Sequence, residues 1–391
     1  VQEQSEDIRN YPSGKLAKRT IYRNRRIKMA KAKRDKTPIT HAVDGDVRAR
    51  MEAANANLKK KYDILPGMAK EDQEVKLYST GVLAVDEALS GGLPVGRVTE
   101  LYGEEQSGKS LLAMLAIAEM QKDGKTCLLV DAEQALDPVW AKKLGVDMDK
   151  LIILDNNVVE SSFEIIEEYS NNNVVDLIVI DSIASMITND ELESDIGAVK
   201  YSPVALAMSR VLRKIVPTLS KNDTSLVLIN QVREEIGGYV KQLKTPGGRA
   251  LKHTASTRIK INKASSGKLL RVGDAVRGVE INCQVTKHRG GANFKTADFR
   301  IDYESGIDRE HDVAVLLLKK DLITQAGAWF QVEGLGPEGK FQGFDKIVKK
   351  MLEDESFKTK LRDMAVKSSK GIVDANDEPK AESTEPIDPP K

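Results

Sequence analysis

The sequence predicts an α/β fold: a mostly parallel sheet flanked by helices, with a helical arm in front and a small α/β segment behind. Three observations predict it. From Val75 to about Tyr303, β-rich apolar runs alternate with helical patterns, as crossover connections between parallel strands require. Three of those runs end in polar residues, at Asp131-Ala-Glu133, Asp181-Ser182 and Asn230-Gln231, and another runs directly into Gly103. After Thr257 the strands follow one another without helices between them, so the sheet is expected to finish antiparallel.

Residues 1–40 hold twelve Lys or Arg against four acids, concentrated in KRTIYRNRRIKMAKAKRDK. Such a run is either a solvated tail or a nucleic-acid arm, and residues 1–45 read as a weakly structured tail. It lacks the apolar region of a secretory signal. Met29-Ala-Lys-Ala-Lys would make an ordinary start, which leaves open whether residues 1–28 belong to the working chain. Residues 46–74 carry a helix from Asp46 to about Lys61, punctuated by Pro66-Gly67. Its few large apolar residues make it weak alone, so it is expected to pack against something else, as a polymerisation arm would.

The core spans residues 75–305. Its expected strands are Val98–Tyr102, Thr126–Asp131, Leu177–Asp181 and Ser225–Asn230, then Thr257–Asn262, Gly278–Lys287 and Ala297–Tyr303. Helices are expected at Ser110–Gln121 and Val204–Leu219, with Pro217 ending the second early. Residues 306–368 read as a compact α/β domain around Gly327-Ala-Trp329-Phe330, and 369–391 as an acidic tail. From Gly371 that tail carries six acids against two lysines, although the whole chain is nearly neutral at +1.

Composition excludes several classes. No apolar run approaches the roughly 18–20 residues that cross a bilayer, so no membrane partner is expected. Cys127 and Cys283 each sit in an apolar stretch, where buried thiols in a reducing cytoplasm are the expectation. The four histidines show no ligand spacing, which argues against a structural metal.

The strongest motif is Gly103-Glu104-Glu105-Gln106-Ser107-Gly108-Lys109-Ser110, a complete G-x-x-x-x-G-K-[ST] between a strand and an apolar helix. Glycines there let backbone N–H groups turn toward phosphate oxygens, and the helix N-terminus adds favourable partial charge. Lys109 is expected on the β- and γ-phosphates of ATP, and the Ser110 hydroxyl on Mg²⁺. Asp181 ends Leu177-Ile-Val-Ile180, the position for an acid that holds Mg²⁺ through water. Glu133, two residues past another strand, suits a carboxylate that polarises the attacking water; capping a helix is its blander alternative.

Taken together, these residues resemble the bacterial RecA recombinase family. The resemblance is carried by Cys127–Asp147, Asp176–Met186, LINQVREEIGG (Leu228–Gly238) and TPGGRALKHTASTRIKI (Thr245–Ile261), in one order from about Lys76 to Phe330. It implies a RecA-like P-loop ATPase core. Glu133 then matches the water-activating glutamate, Asp137 and Trp140 the adenine contacts, with Trp140 where tyrosine is usual, and Tyr303 a residue beside the base. Gln231 matches the glutamine that senses the γ-phosphate. Lys287 and Arg289 match two lysines that reach the neighbouring subunit's nucleotide, where cations act as arginine fingers do.

The resemblance also implies DNA-facing loops at about Glu193–Ser202 and Val232–Pro246. Gly197, Lys200, Tyr201, Arg213, Gly237, Gly238, Tyr239, Lys241, Lys244, Gly247 and Gly248 are the DNA candidates, through close backbone approach, charge and stacking. Gln106, Arg249 and His253 depart from the family pattern. Lys319, Lys320 and the lysines near 346–350 would suit a secondary duplex site, which the acidic tail would restrain. The implied protein is a cytoplasmic DNA-dependent ATPase that forms a helical filament of its own copies on single-stranded DNA. It would pair that strand with double-stranded DNA and exchange strands in recombinational repair. The rivals are a ring-forming helicase or motor on the same fold, and a non-catalytic DNA-binding mediator.

Overall fold

The computed structural model describes residues 45–58, 75–194, 203–234, 243–244, 247–262, 269–291 and 293–370. The chain divides into two units, Val1–Gln73 and Glu74–Lys391. In the first, a helix covers Gly45–Leu58. Gly197, Lys200, Tyr201, Gly237, Gly238, Tyr239 and Lys241 lie outside the described residues, as do residues 1–44 and 371–391 of the two charged tails.

The second unit opens with a two-stranded ribbon, Leu77–Tyr78 against Leu93–Pro94, around helix α1 (Leu83–Ala88). Then follow β1 (Val98–Gly103), α2 (Lys109–Lys122), β2 (Cys127–Asp131), α3 (Pro138–Lys143), β3 (Leu151–Leu154), α4 (Val159–Asn171) and β4 (Leu177–Asp181). The chain continues through α5 (Pro203–Lys221), β5 (Ser225–Gln231), α6 (Gly248–Thr254), β6 (Thr257–Asn262) and β7 (Leu269–Val272). The last strands are β8 (Ala275–His288), β9 (Thr296–Asp302) and β10 (Gly306–Ile307). Among the described residues these ten strands form one sheet in the order β10-β9-β8-β6-β1-β5-β4-β2-β3, with β7 paired to β8. From β6 through β3 every pair is parallel, and beyond β6 every pair is antiparallel.

Burial explains that division. β2 and β4 are apolar on both faces: Cys127 and Leu129 face a core shared with α2, while Leu128 and Val130 face a second core with α4, α5 and α6. Strands covered by helices on both sides read as continuous apolar runs. β8 and β9 instead alternate buried and partly exposed residues, as half-covered antiparallel strands do. Both cysteines are buried free thiols.

One expectation is corrected. Pro217 does not end its helix: α5 runs on to Lys221. Proline removes one backbone bond, at a cost of about 3 kcal/mol in a helix interior. Met208, Leu212, Ile215 and Leu219 are buried along one stripe, and that packing carries the helix past it.

The C-terminal elements, α7 (Arg309–Lys319), strands Ile323–Ala326, Trp329–Val332 and Lys340–Gln342, and helices Asp345–Glu353 and Glu355–Lys370, share a third core. The buried Asp312 carboxylate joins them to α1 by accepting the backbone N–H groups of Leu83 at 2.7 Å and Ala84 at 3.2 Å. Among the described residues no helix is long and apolar enough to cross a membrane.

Candidate active site

The carboxyl ends of β1, β2, β4 and β5 are adjacent in the sheet, so Gly103, Asp131, Asp181 and Gln231 arrive side by side. Ligands in open parallel sheets sit in the crevice outside such ends. The loop after β1 is shaped for glycine. A Cβ on Gly103 would fall 2.1 Å from the Ile261 carbonyl oxygen, and one on Gly108 2.6 Å from Ile281 Cδ1. Gly108 has φ +99° and Gln106 φ +57°, so a non-glycine residue also holds left-handed backbone here. Such conformations cost an L-residue about 1–2 kcal/mol and concentrate where the surrounding structure fixes a working site.

Lys109 is buried, and its Nζ donates to the Glu104 carbonyl at 2.6 Å, across its own loop. Burial pulls its pKa down, opposed by Asp181, Glu133 and Glu105. Asp181 is pushed up to about 6, mainly by burial, although the Ser110 hydroxyl bonds it. Ser110 and Asp181 thus form an adjacent hydroxyl and carboxylate, two oxygen donors of the kind Mg²⁺ takes beside water and phosphate. That pairing fits the ion, and the glycine-shaped loop fits a polyphosphate.

Glu133 is no helix cap. Its Oε1 accepts the Ser182 hydroxyl, the Ser185 hydroxyl at 3.3 Å and the Gln231 side-chain amide at 3.2 Å. The capping role belongs to Asp137, whose Oδ1 accepts Val139 N and Trp140 N at the start of α3. Asp131 fixes the turn that presents Glu133, accepting the backbone N–H groups of Ala135 and Leu136.

A cavity of about 300 Å³ lies against Gln106–Leu111, between Trp140 and Tyr303, with Val279, Ile281 and Ile301 as its apolar floor. Its aromatic walls and phosphate-loop end suit a nucleoside triphosphate. A smaller cavity shares Ser110, Leu111 and Trp140 with it and reaches Glu133, Asp137 and Asp181. Glu104 and Glu105, by contrast, are exposed.

Lys287 and Arg289 do not join this cluster. Lys287 pairs with Arg258, which pairs with Glu100, three residues before Gly103 on β1. That places Lys287 roughly 10 Å back along the strand direction, level with the middle of β1 and toward the amino ends of the parallel strands. There Lys287 Nζ donates to the carbonyls of Lys252 and His253, and Arg289 to that of His253, at the end of α6. Burial, with Arg289 and Arg258 nearby, pulls Lys287 down.

Of the DNA candidates that are described, Arg213 is exposed on α5 and donates back to Ser209 O. Lys244 lies in a two-stranded stem, Leu243–Lys244 against Arg233–Glu234. Gly247 (φ +82°) and Gly248 (φ +71°) start α6, where added Cβ atoms would press within 3.3 Å of Leu251 and 3.2 Å of Ala205. Lys320 and Lys350 are already paired, with Glu87 and Asp354.

Sequence reasoning missed Ser185 and the apolar floor on β8 and β9. A serine four residues past the Mg²⁺-strand aspartate carries little signal until β2 is known to lie beside β4.

A phosphate loop, a strand-end aspartate and a nucleoside-sized cavity on a mostly parallel sheet define a P-loop nucleotide-binding ATPase fold. A family model described as the RecA N-terminal domain matches residues 49–308, and the chain belongs to the RecA family. That family is one of P-loop ATPases acting with ATP and Mg²⁺ in DNA recombination and repair.

Proposed function

We propose that this chain is a DNA-dependent ATPase that polymerises on single-stranded DNA and promotes homologous pairing and strand exchange. The observation that carries the reading is the Gln231–Glu133 hydrogen bond. It ties the carboxylate placed to activate water to the residue from which the second loop departs. Any shift of Gln231 toward a γ-phosphate therefore alters both hydrolysis and the loop.

In this reading Lys109 and the loop backbone hold the phosphates, and Trp140 and Tyr303 enclose the base. Mg²⁺, held by Ser110 and Asp181, would supply charge neutralisation on the phosphate oxygens. Glu133 takes a proton from the attacking water as it reaches the γ-phosphorus. Lys287 and Arg289 complete the site of an adjacent copy, leaving the α6 carbonyls for that copy's phosphates. ATP then bridges subunits, and its hydrolysis loosens the interface. Residues 46–74 act as the polymerisation arm, residues 306–368 as a second DNA surface, and 369–391 as an acidic restraint on it.

Electron microscopy with single-stranded DNA and a non-hydrolysable ATP analogue tests the reading. Open helical filaments are expected, whereas closed rings would indicate a motor. ATP binding without DNA-stimulated turnover would indicate a mediator.

A further inference from the structure

The buried acid Glu100 has no part in the site described above. It sits mid-strand in β1 with a fully buried side chain, a position where an apolar residue would normally pack. Its two oxygens are separately engaged: Oε1 accepts Asn230 Nδ2 at 2.9 Å and Oε2 accepts Arg258 Nε at 2.5 Å. The Arg258 guanidinium lies 4.5 Å from the centre of the Tyr102 ring. Tyr102 Oη donates to Thr286 Oγ1 at 3.0 Å, and Thr286 Oγ1 donates in turn to the Arg258 carbonyl at 3.2 Å.

These groups cross four adjacent strands, β5, β1, β6 and β8, on one face of the sheet. One end, Asn230, is covalently next to Gln231. The other, Thr286, is next to Lys287. Well-packed apolar residues often replace a buried ion pair without loss of stability, so such a pair is better understood as fixing geometry. A satisfied polar network holds its members in one arrangement, because any displacement strands a buried charge.

We propose that Glu100 is a positioning residue for ATP hydrolysis, holding the Gln231 strand end and the Lys287 strand in one register. The two edges of the sheet then move together, so a subunit whose Gln231 meets a γ-phosphate presents Lys287 and Arg289 correctly to its neighbour. The Lys287 environment agrees, since Arg258 and Glu100 both act on its charge, in opposite senses. This inference rests on the reading that Lys287 acts on an adjacent copy.

The test uses Glu100→Gln, which keeps shape and removes charge. Because that leaves Arg258 without its counter-charge, the paired variant Glu100→Gln/Arg258→Met carries the test if the single variant does not fold. Melting curves establish folding, and steady-state ATP turnover is measured with single-stranded DNA. Expected is a KM for ATP within about twofold of wild type and a kcat lowered about tenfold. Combined with Lys287→Ala, the loss should not multiply, because the two changes break one coupled unit. Wild-type kcat in a folded variant, or losses that multiply with Lys287→Ala, would overturn the proposal while leaving the trans reading intact. Full DNA stimulation in Lys287→Ala alone would instead sink the trans reading, and the proposal with it.

Discussion

At the carboxyl edge of the sheet, Lys109, Ser110, Asp181, Glu133 and Gln231 converge around cavities within a single chain. Toward the amino edge, Lys287 and Arg289 are held by backbone carbonyls at the end of α6, and the acid acting on the Lys287 charge is the buried Glu100 rather than a carboxylate of the nucleotide site. The first edge is crowded with carboxylates, and burial has shifted both Lys109 and Asp181 toward their neutral forms. The second is cationic. A phosphate chain in the first would meet one buried lysine, Lys109, while Lys287 and Arg289 lie further back along the same strands. Our proposal that the site spans two copies rests on this split: Lys287 and Arg289, engaged away from their own phosphate loop, would serve the nucleotide of an adjacent copy.

The largest expected effect tests the carboxyl edge. Lys109→Ala should lower DNA-stimulated ATP turnover about a thousandfold, since no other described cation reaches the loop. Near-normal turnover would remove the phosphate site. Glu133→Gln should lower kcat about a hundredfold while nucleotide affinity, measured with a fluorescent ATP analogue, is kept. A matching fall in affinity would mean that Glu133 organises the pocket rather than the water. Trp140→Ala should raise the KM for ATP about tenfold with little change in kcat, the signature of lost stacking in ground and transition states alike. An unchanged KM would remove Trp140 from the base site.

The smallest expected effect lies outside both edges and serves as contrast. Burial pushes Asp312 up to about 7 and Asp86 to about 6. An unfolded carboxyl titrates near about 3.9, so the folded state binds more protons in between, and the stability those protons confer is lost as pH rises through about 6–7. The melting temperature should therefore fall from about pH 5 to about pH 8, and Asp312→Asn should flatten the slope. A slope of opposite sign would show that these carboxylates stay ionised.

How far the sequence could be read differs in the same way between the edges. The phosphate loop is a contiguous motif, and Asp181 and Gln231 stand at the ends of apolar runs, so local pattern sufficed. The apolar strand Leu151–Leu154 went unread because four apolar residues fit a helix as well as a strand. Trp140 and Tyr303 entered through family resemblance, and the structure places them on one cavity. The amino edge was illegible by pattern alone. Glu100 in Val98-Thr-Glu-Leu-Tyr102 looks like ordinary polar alternation, and only the order β5-β1-β6-β8 brings Asn230, Arg258 and Thr286 to it. The two that bond Glu100 directly, Asn230 and Arg258, lie 130 and 158 residues away in sequence.

The most direct test of a site shared between copies is complementation. Lys109→Ala and the double variant Lys287→Ala/Arg289→Ala are each expected to be inactive alone. Mixed in equal amounts on single-stranded DNA, they should regain about a quarter of wild-type ATP turnover, because one interface in four then pairs an intact loop with intact cations. A mixture no more active than its separate components would contradict the account.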